Sequence, residues 1–214
     1  MKTKLTQISK TIFIATILLI ITFVFVAFAS ADTVFYYTSS PSSWVGNGET
    51  VTVTPSDGFD FNVSRNYDQG ISFAINDFAH NPDFWSTRWW YLDFAGPMNT
   101  PLQVGYYGNA TRFPFQNSSD PGLSFIGNGR GNNELTGYFD VLEVGYGGSD
   151  NVLSFAADFV QYDEGFQDWW NRGSVRYNSS IPVTVVPEPV SSILFVTGGT
   201  LLAGRRYLKR RMKA

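Results

Sequence analysis

Asp158, Asp163 and Glu164 are the carboxylates whose spacing best suits acid–base chemistry. Two carboxylates held roughly 5–10 Å apart across a sugar can cleave a glycosidic bond, one as the acid and the other as base or nucleophile. The surrounding pattern argues for a simpler use. Leu153, Phe155, Ala157 and Phe159 alternate with Ser154, Ala156, Asp158 and Val160, so Asp158 falls on the face away from the apolar side chains. It is expected there as a solvated strand residue or as the partner of an arginine such as Arg112, Arg130 or Arg176. The chain has no cysteine, which excludes thiol nucleophiles and thiolate zinc sites. Its single histidine, His80, lies in the polar run Asn76–Pro82 and reads as a turn residue. No Gly-x-Ser-x-Gly elbow, phosphate loop or histidine-based metal motif is present. The runs Asp57-Gly58-Phe59-Asp60 and Gly147-Gly148-Ser149-Asp150-Asn151 offer oxygen ligands, but their spacing is not that of a calcium loop. Turn chemistry accounts for the same residues. The expectation is a protein with no catalytic residue, cofactor or metal.

Binding is the better-supported chemistry. All six tryptophans (Trp44, Trp85, Trp89, Trp90, Trp169 and Trp170) fall between the two ends of the chain. Flat rings can stack on sugar faces, and Trp169-Trp170 stands in a polar stretch, Asp163–Asn171, where an exposed pair would mark an interaction patch. The alternative is that the rings build the core. Adjacent strand residues point to opposite faces, so Trp89 and Trp90 cannot both be buried on one face.

The elements that would position these residues are strands. Short runs rich in aromatic and β-branched residues are punctuated by Gly, Asn, Ser and Pro, and nothing between the ends holds a helical period. Candidate strands are Thr33–Tyr37, Thr50–Thr54, Phe59–Val63, Ile71–Ile75, Trp89–Phe94, Gln103–Tyr106, Leu123–Ile126, Thr136–Val144, Val152–Tyr162, Gly173–Tyr177 and Pro182–Val185. The eighth and ninth are expected to form a long hairpin at the heart of the sheet, closed by the glycines near 147. The expected fold class is all-β, a single sandwich of jelly-roll type.

Charge and hydropathy set the limits of that domain. Lys2, Lys4 and Lys10 precede an apolar core, Thr11–Phe28, and then Ala29-Ser30-Ala31, a small-x-small cleavage signature. Residues 1–31 therefore read as a signal peptide, leaving Asp32 first. At the other end Pro187-Glu188-Pro189 precedes an apolar segment, 190–204, and a basic tail, 205–214, that opens with Arg205-Arg206. The apolar segment partitions into a bilayer and the basic tail stays on the cytoplasmic side. That holds the proline motif at the outer boundary, where a membrane-embedded protease can reach it. Prolines keep the motif extended. Between the ends, over residues 32–186, six arginines and no lysine stand against 17 carboxylates, a formal charge of −11. A surface that acidic disfavours nucleic acid.

The order Pro187-Glu188-Pro189, apolar run, Arg205-Arg206 resembles the PEP-CTERM sorting domain. The resemblance implies an exosortase-like processing enzyme as a partner, a transient stay in the inner membrane, and release to the surface or exterior of a bacterium that makes exopolysaccharide. Exopolysaccharide is then a candidate ligand. Segments between Trp89 and Ser179 also resemble exported proteins with such tails, among them Trp90-Tyr91-Leu92-Asp93-Phe94, Gly127-Asn128-Gly129-Arg130-Gly131 and Phe155-Ala156-Ala157-Asp158-Phe159. In such relatives one cysteine follows the Gly-Arg-Gly turn and another the Phe-Ala-Ala-Asp-Phe strand. Here those places read Asn132 and Asp163. The resemblance implies that a disulfide was lost as a pair and that the two residues lie near one another. It carries over no catalytic residue.

Overall fold

The computed structural model describes residues 31–148 and 151–183. They form ten strands: β1 (Asp32–Ser39), β2 (Thr50–Val53), β3 (Asp60–Arg65), β4 (Ile71–Asn76), β5 (Trp89–Ala95), β6 (Gly105–Arg112), β7 (Gly122–Gly127), β8 (Leu135–Tyr146), β9 (Val152–Asp163) and β10 (Trp170–Ser179). Three-residue 3-10 turns stand at Pro55–Asp57, Phe84–Ser86 and Pro97–Asn99. The fold is all-β. The signal peptide, including Ala29, lies outside the described residues except for Ala31, and so do Pro187, Glu188, Pro189, Arg205, Arg206 and the apolar segment between them. The eleventh candidate strand is absent at Pro182 and Val183, and its remainder lies outside the described residues.

The expected two sheets are one. Hydrogen bonds run without a break in the order β2-β1-β10-β9-β8-β6-β7-β5-β4-β3. Every neighbouring pair is antiparallel except β6 and β7, which run parallel for Thr111↔Gly122 and Arg112↔Leu123. The outermost strands of that order, β2 and β3, are consecutive in sequence. A flat ten-stranded sheet would separate them by about 43 Å at the usual strand spacing. The chain from Val53 to Asp60 reaches at most about 25 Å when fully extended. The sheet must therefore curl until its halves face each other, and the inner face records this. Phe35 of β1 meets Trp90 of β5 at 5.6 Å between ring centroids, and Phe73 of β4 meets Phe155 of β9 at 5.6 Å. Phe94, Phe125, Phe139 and Phe159 complete a dry interior. Each such ring contributes about 2–3 kcal/mol by leaving water. Gly173 makes room for one of them, since a Cβ there would lie 2.4 Å from the Phe159 ring.

The β8–β9 hairpin stands in the middle of the sheet, as its pattern predicts. Two bulges rewrite its faces. Val141 pairs with Ala157 and Glu143 with Ala156, so Leu142 is the extra residue. Beyond it Val144 and Tyr146 turn inward and Glu143 turns out. A second irregularity skips Leu153, which is 57 % exposed instead of sharing the core with Phe155. A bulge shifts side-chain alternation by one, which a strict period of two does not anticipate.

β10 ends beside the start of β1, with Asp32 opposite Ser179. Beyond β10 the chain crosses back over the outer face of its own strand. The Arg176 guanidinium, 1 % exposed, donates to the carbonyls of Ile181 at 3.1 Å and Pro182 at 3.3 Å, of Ala157 at 2.9 Å, and to Asp158 Oδ1 at 2.8 Å.

Candidate functional site

The outer faces of β6, β8 and β9 carry a groove lined by exposed rings. Phe139 and Phe159 point inward, so their neighbours Tyr138 and Val160 point outward; Tyr162, two residues further along β9, does the same. Register sets Tyr162 between Thr136 of β8 and Trp170 of β10, and antiparallel partners share a face. Tyr106 of β6 completes the group, its ring 5.7 Å from that of Tyr138. The groove encloses about 290 Å³ and is lined by Tyr106, Asn109, Thr111, Tyr138, Tyr162 and Gln167. A bulge between Tyr107 and Ala110 shapes its rim, with Asn109 at φ 55°. A Cβ at Gly108 would stand 2.8 Å from the Tyr106 ring and would push that exposed ring aside. Among the described residues the side chains of Tyr106, Asn109, Tyr138, Tyr162 and Gln167 make no hydrogen bond, and the Thr111 hydroxyl lacks a partner too. Burial, and then the neighbouring Tyr162, push the Tyr138 phenol above its ordinary pKa, so it stays a neutral donor.

The two tryptophans singled out from the sequence part company here. Trp170 is half-buried, lies across from Tyr162 at the edge of the groove, and has the Arg172 guanidinium 4.6 Å above its ring. Trp169 packs on Phe166 at 4.9 Å, and neither tryptophan is among the residues that line the groove itself. Trp90 is buried and Trp89 half-buried, as opposite-facing neighbours must be. The most exposed tryptophan is Trp85, at 91 %, on the Phe84–Ser86 turn. Arginines follow the rings elsewhere as well: Arg65 lies over Tyr146, Arg88 over Trp90 and Arg112 over Phe115. A planar guanidinium stacks where an ammonium would not, which suits a domain that uses arginine and no lysine.

The carboxylates considered for catalysis are engaged in structure. Asp158 is held by Arg176, one of the three expected partners. Glu164 accepts from the Asn133 amide at 2.8 Å. Asp163 is fully buried on the inner face, and both its oxygens are saturated. Oδ1 accepts from Asn132 at 2.8 Å, Asn171 at 2.8 Å and Gln161 at 3.1 Å. Oδ2 accepts from the Val45 amide at 3.0 Å and lies 2.8 Å from the Ser43 hydroxyl. Four N–H donors, with the Ser43 hydroxyl shared between Asp163 and Asn171 Oδ1, replace the water a carboxylate loses on burial, so it needs no cation. Asn132 and Asp163 are thus in direct contact, 31 residues apart in sequence. Gln161 also pairs with both backbone groups of Phe125, at 2.8 and 2.9 Å, where β6 no longer flanks β7.

A second groove, of about 350 Å³, lies along the outer faces of β3, β4 and β5 and includes Asn62, Ser64, Ser72, Tyr91 and Asp93. Burial pushes the Asp93 carboxyl up to about 6, although donation from the Ser72 hydroxyl partly offsets this. No second acid and no histidine lines this groove beside Asp93. His80 is exposed and stands 3.4 Å from Asp60, a surface contact in the turn region where it was expected. Among the described residues no three His, Cys, Asp or Glu side chains gather as a metal site. The sequence reading missed Tyr106, Tyr138, Tyr162 and Asp93 as site residues; no local motif marks them, because register alone brings them together. Comparison with family models, with curated proteins and with solved structures found no match.

Proposed function

We propose that this chain is an exported, non-catalytic protein of the bacterial surface or extracellular matrix, delivered by a cleaved leader and processed at Pro187-Glu188-Pro189. In this reading Ala29 and Ala31 frame the first cut, an exosortase-like enzyme recognises Glu188 and its prolines, and the Arg205-Arg206 tail orients the apolar segment in the inner membrane. The observation that carries it is the pairing of Asp32 with Ser179. The residue that leader cleavage would leave first is also the first residue of β1, so the cut would leave the described sheet whole. The described chain ends at Val183, just after the neighbouring strand β10, so the two ends of the described domain belong to adjacent strands, which suits flanking segments held by one bilayer. Asp163, both of whose oxygens are engaged within the fold, and Asp158, paired with Arg176, support a role without catalysis.

The test is the intact mass of the protein recovered from a native host, wild type against Glu188→Ala. The expected result is a wild-type product that begins at Asp32 and ends near residues 186–190, with the variant retaining its tail. An uncut tail in both proteins overturns the sorting reading and leaves a membrane-anchored β-domain. A second reading, a lectin-like matrix module, is favoured by the outer-face groove.

A further inference from the structure

We propose that the groove on the outer face of β6, β8 and β9 is a binding site for a neutral glycan chain. Tyr106 and Tyr138 would serve as stacking platforms, and Asn109, Gln167 and Tyr162 as hydrogen-bonding groups. Three features of the groove select this class of ligand. The first is the juxtaposition of phenol rings with side-chain amides that are not already hydrogen-bonded to the protein. A sugar presents an apolar C–H face flanked by hydroxyls, and the groove answers both at once. Tyr106, 66 % exposed, keeps a large ring in water with no core role to explain it. The second is extent. From Tyr106 through Tyr138 and Tyr162 to Trp170 the rings occupy four successive strands, about 14 Å at the usual spacing, which is longer than a single sugar ring.

The third is charge. Asp140 is the register partner of Tyr106 on β8, Asp168 follows Gln167, and residues 32–186 carry a formal charge of −11. Arg172, the nearby cation, is already stacked on Trp170. Acidic polysaccharide and nucleic acid would therefore be repelled, whereas an uncharged chain would not. The inference deepens the lectin-like reading. It rests on the matrix reading only for where a polysaccharide would be met, because binding by the purified chain is independent of any cut at Glu188.

Affinity electrophoresis of the full chain in mild detergent tests the site, with gels containing neutral polymers (dextran or glucomannan) or acidic alginate. The expected result is retardation in a neutral gel, with the dissociation constant rising at least about tenfold in the Tyr106→Ala/Tyr138→Ala double variant. Trp85→Ala, which removes an exposed ring elsewhere, should bind as wild type. Should the double variant lose its cooperative melt, Tyr106→Ala combined with Gln167→Ala alters only exposed side chains and carries the test instead. The site is overturned by no retardation in any neutral gel, by retardation in alginate alone, or by retardation that the tyrosine variants leave unchanged. Normal tail processing in a protein that fails to bind would remove the glycan site and keep the sorting reading.

Discussion

On the inner side of β9, the side chains of Gln161 and Asp163 are engaged through every polar atom; between them, on the outer side, Tyr162 lines a groove whose polar groups are uncommitted. The same strand thus carries two polar regions built for different ends. Around Asp163 amide, hydroxyl and backbone donors converge from β1's following loop, β9, β10 and the segment before β8, and each removes a degree of freedom. Around Tyr138 and Tyr162 the rings are held by strand register and the polar ends stay free. Buried acids and amides with full partner sets make a fold specific. Exposed rings beside uncommitted amides make a surface specific. A carboxylate's position in sequence does not reveal which it is, since Asp158, Asp163 and Glu164 look alike as catalytic candidates until their donors are counted.

The contrast can be broken at its strongest point first. Asp163→Ala strips the acceptor from Asn132, Asn171, Gln161 and the Val45 amide at once. Unpaired buried donors are costly, so the loss should be about 3–5 kcal/mol in urea unfolding. A loss below about 1 kcal/mol would mean that water enters the site and that the inner region is not sealed.

Asp93 tests an intermediate case, a half-buried carboxyl on the outer face. Its folded-state pKa, about 6, lies above the ordinary 3.8, so the folded protein holds this proton more tightly than the unfolded chain. Stability from this group is therefore greatest at acid pH and declines as pH rises from about 4 to 6. Asp93→Asn keeps an acceptor for Ser72 and removes the charge. It should stabilise the protein by up to about 2 kcal/mol at pH 7.5 and change little at pH 4, as read from paired urea titrations. Equal effects at both values would place the cause outside titration. The smallest change is expected at the exposed groove. Tyr106→Ala should alter stability by less than about 0.5 kcal/mol. A thermal shift corresponding to more than about 1 kcal/mol would show the ring to be part of the fold and weaken its claim as a ligand platform.

The strands show how far pattern carries. Ile71, Phe73 and Ile75 alternate cleanly, and β4 forms with all three buried. β6 defeats the same reading. Gly108 and Asn109 have turn composition but form a bulge inside the strand, so the sequence suggests 103–106 where the strand runs Gly105–Arg112. In β8 and β9 the extra residues Leu142 and Leu153 switch the faces, because one inserted residue inverts everything beyond it. The ion pair of Asp158 with an arginine was legible, since an acid on the solvent face of a strand calls for a cation on a neighbour. Which arginine it would be was not, because that depends on Arg176 lying on the adjacent strand with Ile181 and Pro182 folded over it.

The sequence by itself determined the all-β class, and it is the whole basis of the leader and tail proposed at its ends. Those depend on local composition: turn formers between aromatic and β-branched runs, apolar stretches, and clusters of like charge. Only the tertiary structure decided that the sheet is single and curled and that Tyr106, Tyr138 and Tyr162 share a groove, whereas the nearness of Asn132 and Asp163, implied by the resemblance, is met by their contact. The reason is physical. Contacts between strands depend on register and on each bulge along the way, and the short link from β2 to β3 bends the whole sheet, so no local run of residues contains that information.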